Sequence, residues 1–178
     1  MAKQHSITKR NIQIKENLRP VEVYFNRLNA SHQHPTNRLL HFICVPLMLL
    51  GILGIAWAIP FPYIKFLGQY NGMFNWASFF IAFSVYYTLK LSPNLSYTML
   101  LVLFVLSYGI SKLAAWEIAG GPPLIWVSTG ILAIAWLGQY IGGNIEGNKR
   151  SFDDDKQLVL YTPIWVLHFL AKKIGLRY

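Results

Sequence analysis

Long apolar runs separated by short polar breaks dominate the pattern of this chain. Four runs stand out, and they cover residues 39–59, 73–89, 95–113 and 124–141. The first run holds 21 residues, and about 20 consecutive apolar residues in a helix cross the hydrocarbon core of a bilayer. The pattern therefore predicts an all-α membrane protein with about four transmembrane helices.

Two amphipathic stretches flank these runs. Residues 18–30 place apolar side chains at i, i+3, i+4 and i+7, which is one face of a helix; the positions are Val21, Tyr24, Phe25 and Leu28. Residues 158–170 are too few to cross a membrane easily, and Pro163 interrupts them, so we expect a short interfacial or re-entrant helix there. Residues 1–17 are polar and basic and predict a mobile arm, which leaves 18–178 as a single membrane-embedded helical domain.

The composition favours a membrane protein over a soluble one. Hydrophobic residues make up 54% of the chain and charged residues only 13%, whereas a soluble domain carries about 25% charged residues. The formal charge of +9 would suit nucleic acid, but most Lys and Arg residues lie before the first run or after the fourth. Such flanks predict a multi-pass protein with both termini in the cytoplasm and with membrane lipid, not nucleic acid, as the anionic partner. The compact size favours a bacterial inner membrane, with the endoplasmic reticulum as the alternative.

A cluster of histidines marks the entry to the first apolar run. Three of the five histidines lie within ten residues: His32, His34 and His41. Pro35 is suited to start the helix, so Asn37 and His41 share a face at i, i+4. His34 joins that stripe only if the helix begins one residue earlier, and His32 only if the chain folds back. Imidazole is a ligand of iron and zinc, although histidines and an asparagine here also fit interfacial and capping roles.

Two sequence blocks at the ends of the first and fourth runs carry a resemblance to a known family. The first block is Tyr24 followed by His32-x-x-Pro35-x-Asn37-Arg38-x-x-His41-Phe42-Ile43-x-Val45-Pro46. The second is Trp136-Leu137-Gly138-Gln139-Tyr140-Ile141-Gly142, followed by Ile145-Glu146-Gly147. In this order and spacing the chain resembles the small membrane 2-hydroxy fatty acid dioxygenases of the fungal endoplasmic reticulum and their bacterial relatives.

The resemblance implies an iron(II)-dependent dioxygenase that uses O2 to shorten 2-hydroxy fatty acids by one carbon, a step of fatty acid α-oxidation. Carried onto this chain, it makes His32 and His41 ligands of Fe(II), with His34 as an additional candidate, and Asn37 a catalytic candidate beside them. Arg38 and Gln139 are the candidates for contact with the substrate. Arg38 also fits an ordinary basic flank, and Gln139 also fits a polar contact between helices.

The chain departs from the family pattern at one position. After Gly142 the family usually has a histidine, and this chain has Gly143, which carries no ligating atom. We expect His168, in the C-terminal helix, to replace part of that missing ligand.

Two other functions stay open from the sequence. The first alternative is a non-catalytic or decayed membrane homologue that binds lipid or a partner. The second is a zinc-dependent membrane hydrolase, which the sequence disfavours because no acid lies near the histidines as an obvious general base.

Overall fold

The computed structural model describes residues 20–147, 152–173 and 175, and its regular secondary structure within these ranges is entirely helical. The helices are α1 (Pro20–Ser31), α2 (Pro35–Ala58), α3 (Trp76–Leu91), α4 (Pro93–Ile118), α5 (Leu124–Glu146) and α6 (Phe152–Lys173). A 3-10 segment, Lys65–Met73, lies between α2 and α3. The predicted all-α class is confirmed, while the predicted arm, residues 1–17, lies outside the described residues.

In the described part of the chain, three helices are long and apolar enough to cross a membrane: α2, α4 and α5. The predicted second span corresponds to α3, which has 16 residues. A helix of that length rises about 24 Å, which is less than the hydrocarbon core of about 30 Å. The membrane class is therefore supported by three helices, and the count of four spans stays a prediction.

The C-terminal helix is longer than predicted. We expected residues 158–170, and α6 instead runs over 22 residues from Phe152 with Pro163 inside it. Asp153, Asp154 and Asp155 fall in its first turn.

Helices α2 and α5 form the most extensive contact of the bundle and run antiparallel. Small residues bring their backbones close together: a Cβ added at Gly51 would lie 2.8 Å from Leu132 Cβ, and one added at Gly138 would lie 2.5 Å from Cys44 Sγ. Further contacts pair Gly54 with Ser128 and Asn37 with Gly142. The residue numbers rise along α2 as they fall along α5, so the start of α2 meets the end of α5. Close approach through glycine is typical of packed membrane helices.

A second layer covers the start of α2. Helix α6 packs against α1, α2 and α4, and its buried Trp165 shares one apolar cluster with Phe25, Leu28 and Val45. Phe25 and Leu28 belong to the predicted apolar face of α1, and both are buried. Helix α6 thus packs on α1 and on the start of α2, next to the histidine segment.

Candidate active site

The histidine segment is shaped by the way α2 begins. Pro35 occupies the first turn, and His34 is the N-cap with an extended backbone. The Nδ1 atom of the His34 side chain accepts a hydrogen bond from the backbone N–H of Thr36 at 3.3 Å. The helix therefore does not begin one residue earlier, and His34 does not join the stripe of Asn37 and His41. It is exposed and caps the helix.

His32 and His41 are brought together by the fold. Their ring centroids lie 4.2 Å apart with the planes nearly perpendicular, and each residue is only 3% exposed. The chain folds back between α1 and α2, which is the condition that the sequence left open for His32. The His32 Nδ1 lies 2.9 Å from the backbone oxygen of Leu28. Because that oxygen can only accept, Nδ1 carries the hydrogen, and in the neutral ring Nε2 then holds the lone pair that a metal ligand needs.

Trp165 forms the wall over this histidine pair. Its ring centroid lies 5.4 Å from that of His32 and 6.2 Å from that of His41. The indole Nε1–H donates to Asn29 Oδ1 at 3.0 Å, so the ring is anchored to α1. Trp165 is fully buried. The sequence pattern did not indicate Trp165, whose only signal is an aromatic residue two positions after Pro163.

Glu146 is the second site residue that the sequence analysis missed. Its carboxylate accepts hydrogen bonds from the backbone N–H of Gln33 at 2.7 Å and of His34 at 3.1 Å, and from Asn37 Nδ2 at 2.9 Å. The expectation that no acid lies near the histidines was therefore wrong, because the acid comes from the far end of α5. A signal was present in the sequence, since Glu146 belongs to the second block of the resemblance.

Asn37 lies between α2 and α5 with its orientation fixed. It is fully buried, and because a carboxylate can only accept, the bond to Glu146 assigns the NH2 group to that side. Its Oδ1 then faces Gly142, where an added Cβ would lie 2.5 Å away. This oxygen is buried and has no hydrogen-bond partner among the described residues.

Gln139 belongs to the part of α5 that packs against the first half of α2. It lies between two glycines that contact α2, namely Gly138, which meets Cys44, and Gly142, which meets Asn37. Gln139 is three residues before Gly142, on the same side of α5. Its Nε2 is buried, again with no hydrogen-bond partner in the described part of the chain. Helix α2 thus offers a buried amide acceptor at Asn37, and α5 offers a buried amide donor at Gln139.

Arg38 points toward α6. Its guanidinium carbon lies 5.2 Å above the ring centroid of Phe169, which is a cation–π distance. It is half-buried, and it lies next to Asn37 in the chain.

His168 packs in an aromatic environment on α6. Its ring centroid lies 4.6 Å from that of Phe25 and 5.1 Å from that of Phe169. Burial lowers the pKa of His168, and the positive charge of Lys172 lowers that pKa further, so the ring is favoured in its neutral form.

The four predicted metal ligands do not gather at one point. Among the described residues, no group of three or more His, Cys, Asp and Glu side chains is arranged to hold a metal ion. His32 and His41 form a pair that suits two positions of a metal site, and neither His34 nor His168 completes a group of three with them. Any further donors have to come from outside this set, for example from a bound substrate.

A comparison with protein-family models identifies a match over most of the chain. The family model described as 2-hydroxy-palmitic acid dioxygenase Mpo1-like matches residues 18–174. No curated protein and no solved structure matches the chain. The matched range contains α1 to α6, both sequence blocks, the His32–His41 pair and Glu146. The chain belongs to the Mpo1-like family.

Proposed function

We propose that the chain is a membrane-embedded Fe(II)-dependent dioxygenase that shortens 2-hydroxy fatty acids by one carbon with O2. The observation that carries the proposal is the buried pair of His32 and His41 under Trp165, in a chain whose family is described by 2-hydroxy-palmitic acid dioxygenase activity.

His32 and His41 are the proposed ligands of the iron. His32 donates its Nδ1 hydrogen to a backbone oxygen, which is the usual second contact of a metal-bound imidazole. Fe(II), when bound, supplies the activation of O2. A 2-hydroxy acid carries a hydroxyl and a carboxylate on adjacent carbons, and these oxygens are suited to complement two protein imidazoles.

Three polar side chains are proposed to hold the head of the substrate. The Arg38 guanidinium lies over the Phe169 ring, and its planar set of N–H donors suits a carboxylate. Gln139 offers a buried donor and Asn37 a buried acceptor. A buried polar atom without a partner costs about 1–3 kcal/mol, so a substrate that pairs with these atoms gains that energy.

The acyl chain is proposed to lie between the helices or along their lipid-facing surface. The basic flanks favour an orientation with both termini in the cytoplasm. The histidine pair would then lie at the cytoplasmic face, where α2 begins and α5 ends. A bacterial inner membrane is the proposed location.

The proposal is tested by replacing one imidazole in purified protein loaded anaerobically with Fe(II). We expect His41→Ala to lose bound iron, O2 uptake and formation of the shortened acid from 2-hydroxy-palmitic acid. His5→Ala is the matched control, because His5 lies in the polar and basic stretch 1–17 and outside both sequence blocks of the resemblance. Palmitic acid, which lacks the 2-hydroxyl group, is the control substrate that tests whether this group is required. Full activity in His41→Ala would contradict the proposal.

A second candidate is a non-catalytic homologue that binds lipid or a partner. Gly143 replaces an expected histidine, and the described residues gather only two histidines at the site. If this candidate is correct, the wild-type protein retains no iron after anaerobic loading, although 2-hydroxy-palmitic acid still raises its melting temperature.

A further inference from the structure

We propose that Glu146 is a positioning residue that holds His32 and Asn37 in their places at the site. This inference rests on the proposed function for its consequence, but its structural part can be tested without a metal. Glu146 is the last residue of α5, and it is 109 residues from Asn37 along the chain. Its three hydrogen-bond donors all belong to the segment from Gln33 to Asn37.

The carboxylate fits the backbone at the start of α2. Two successive backbone N–H groups, from Gln33 and His34, point at it, and such a concave pair favours an anion. The positive end of the α2 dipole adds to this preference. A negative charge at Glu146 is therefore stabilised in a place where a neutral amide would bind less well.

His32 is fixed on two sides as a consequence. On one side its ring donates to the backbone oxygen of Leu28 in α1. On the other side the next peptide, at Gln33, is held by Glu146 at 2.7 Å. The His32 ring therefore keeps its place at 4.2 Å from that of His41 although it lies in a loop between two helices. Release of the Glu146 contact would let this loop move while α2 and His41 stay in place.

The geometry favours a positioning role over direct metal binding. The two carboxylate oxygens accept from three donors at 2.7 to 3.2 Å, which occupies most of the lone pairs of the group. Glu146 also belongs to no described group of three residues that could hold a metal ion. Its effect on a metal would therefore be indirect, through His32 and Asn37.

The first measurement is amide hydrogen exchange of the segment 31–38 in the metal-free protein. We expect Glu146→Gln to speed the exchange of the Gln33 and His34 amides, because their acceptor loses its charge. Glu117→Gln is the matched control, because Glu117 is an exposed acid near the end of α4. It should leave the exchange of this segment unchanged.

The second measurement is anaerobic Co(II) titration followed by the absorption spectrum of the bound ion. Loss of a residue that orients a ligand typically costs about 10–100-fold in metal affinity, so we expect about a tenfold or greater loss in Glu146→Gln and none in Glu117→Gln. The double variant Glu146→Gln with Asn37→Asp exchanges the amide and the carboxylate. It should recover part of both the exchange protection and the affinity, which a general loss of stability would not do.

The outcomes separate the two proposals. Unchanged amide exchange at Gln33 and His34 in Glu146→Gln would overturn the positioning role. A loss of Co(II) binding with full exchange protection would also overturn it, because that result would assign the carboxylate to the metal. If Glu146→Gln does not fold, Glu146→Asp, which keeps the charge on a shorter side chain, is measured in the same way. A wild-type chain that binds no metal would contradict the proposed function, while the exchange data alone would decide the role of Glu146.

Discussion

The two ends of the α2–α5 contact differ although the same two helices form both. At the Gly51 end, an added Cβ would meet the backbone and Cβ of Leu132, so the helices touch through atoms that cannot move aside. At the Asn37 end, the contact is made by polar side chains, and Glu146 extends it to the loop that carries His32. The comparison indicates that close packing at the Gly51 end sets the spacing of the two helices. At the Asn37 end, that spacing allows polar side chains of the two helices to meet.

The two ends of the α2–α5 contact also differ in the buried polar atoms that they contain. Close packing at the Gly51 end brings many atoms into contact, and one buried polar atom there, Ser128 Oγ, has no hydrogen-bond partner among the described residues. At the Asn37 end, Asn37 Oδ1 and Gln139 Nε2 are buried, and no hydrogen-bond partner for either lies within the described ranges. Such atoms destabilise a fold by about 1–3 kcal/mol each. Local destabilisation of this kind is typical of functional sites, where the rest of the fold offsets its cost.

The largest effect on melting temperature and Fe(II) binding is expected from Gly51→Ala, which changes the closely packed end of the α2–α5 contact. The new Cβ would lie 3.0 Å from Ser128 O and from Leu132 N as well as 2.8 Å from Leu132 Cβ, so the helices must separate. Overpacking of this kind costs about 1–3 kcal/mol. We expect a lower melting temperature in detergent together with loss of Fe(II) binding.

Gly130→Ala is the control for that change. It lies in α5, and an added Cβ there would meet no atom within 4 Å. Alanine has a higher helix propensity than glycine by about 1 kcal/mol, so this variant should match or exceed the wild-type melting temperature. Equal melting temperatures for Gly51→Ala and Gly130→Ala would refute the assignment of helix spacing to the Gly51 end.

An intermediate effect is expected from Gly142→Ala at the polar end. The added Cβ would lie 2.5 Å from Asn37 Oδ1 and 3.3 Å from Leu40 Cδ1. Both are side-chain atoms, so Asn37 can turn away, and the bond to Glu146 is lost while the helices keep their spacing. We expect Fe(II) affinity and activity to fall by a larger factor than in Gly130→Ala, with a smaller loss of melting temperature than in Gly51→Ala. A variant with wild-type affinity would show that Asn37 is not needed at the site.

The smallest effect on the fold is expected from Gly143→His, which restores the residue that the family resemblance leads us to expect. Histidine has a somewhat higher helix propensity than glycine, so the melting temperature should change little. We expect the variant to retain more Fe(II) after dialysis and to oxidise 2-hydroxy-palmitic acid faster than the wild type. Equal iron content and equal rates would show that the wild-type site lacks no donor at that position.

The sequence determined the local features of this protein. Apolar runs predicted the helical class and about four spans, three of which correspond to described helices long and apolar enough to cross a membrane, and Pro20 and Pro35 are the first residues of α1 and α2. The i, i+3 and i+4 spacing identified Phe25 and Leu28 as the buried face of α1. These features depend on residues within a few turns of each other, so a period along the chain is enough to find them. The paired sequence blocks indicated the family, which the match over residues 18–174 confirmed.

The tertiary structure decided which distant groups meet at the site. Glu146 contacts Asn37 across 109 residues, and Trp165 contacts Asn29 across 136 residues. Whether His32 folds back onto His41 depends on how α1 docks against α6, and no periodicity within the loop encodes that docking. His34 was predicted as a metal candidate and caps α2 instead of joining the pair. The physical reason is that helix formation is governed by neighbours in sequence, whereas the pairing of His32, Glu146 and Trp165 with α2 depends on the packing of whole helices.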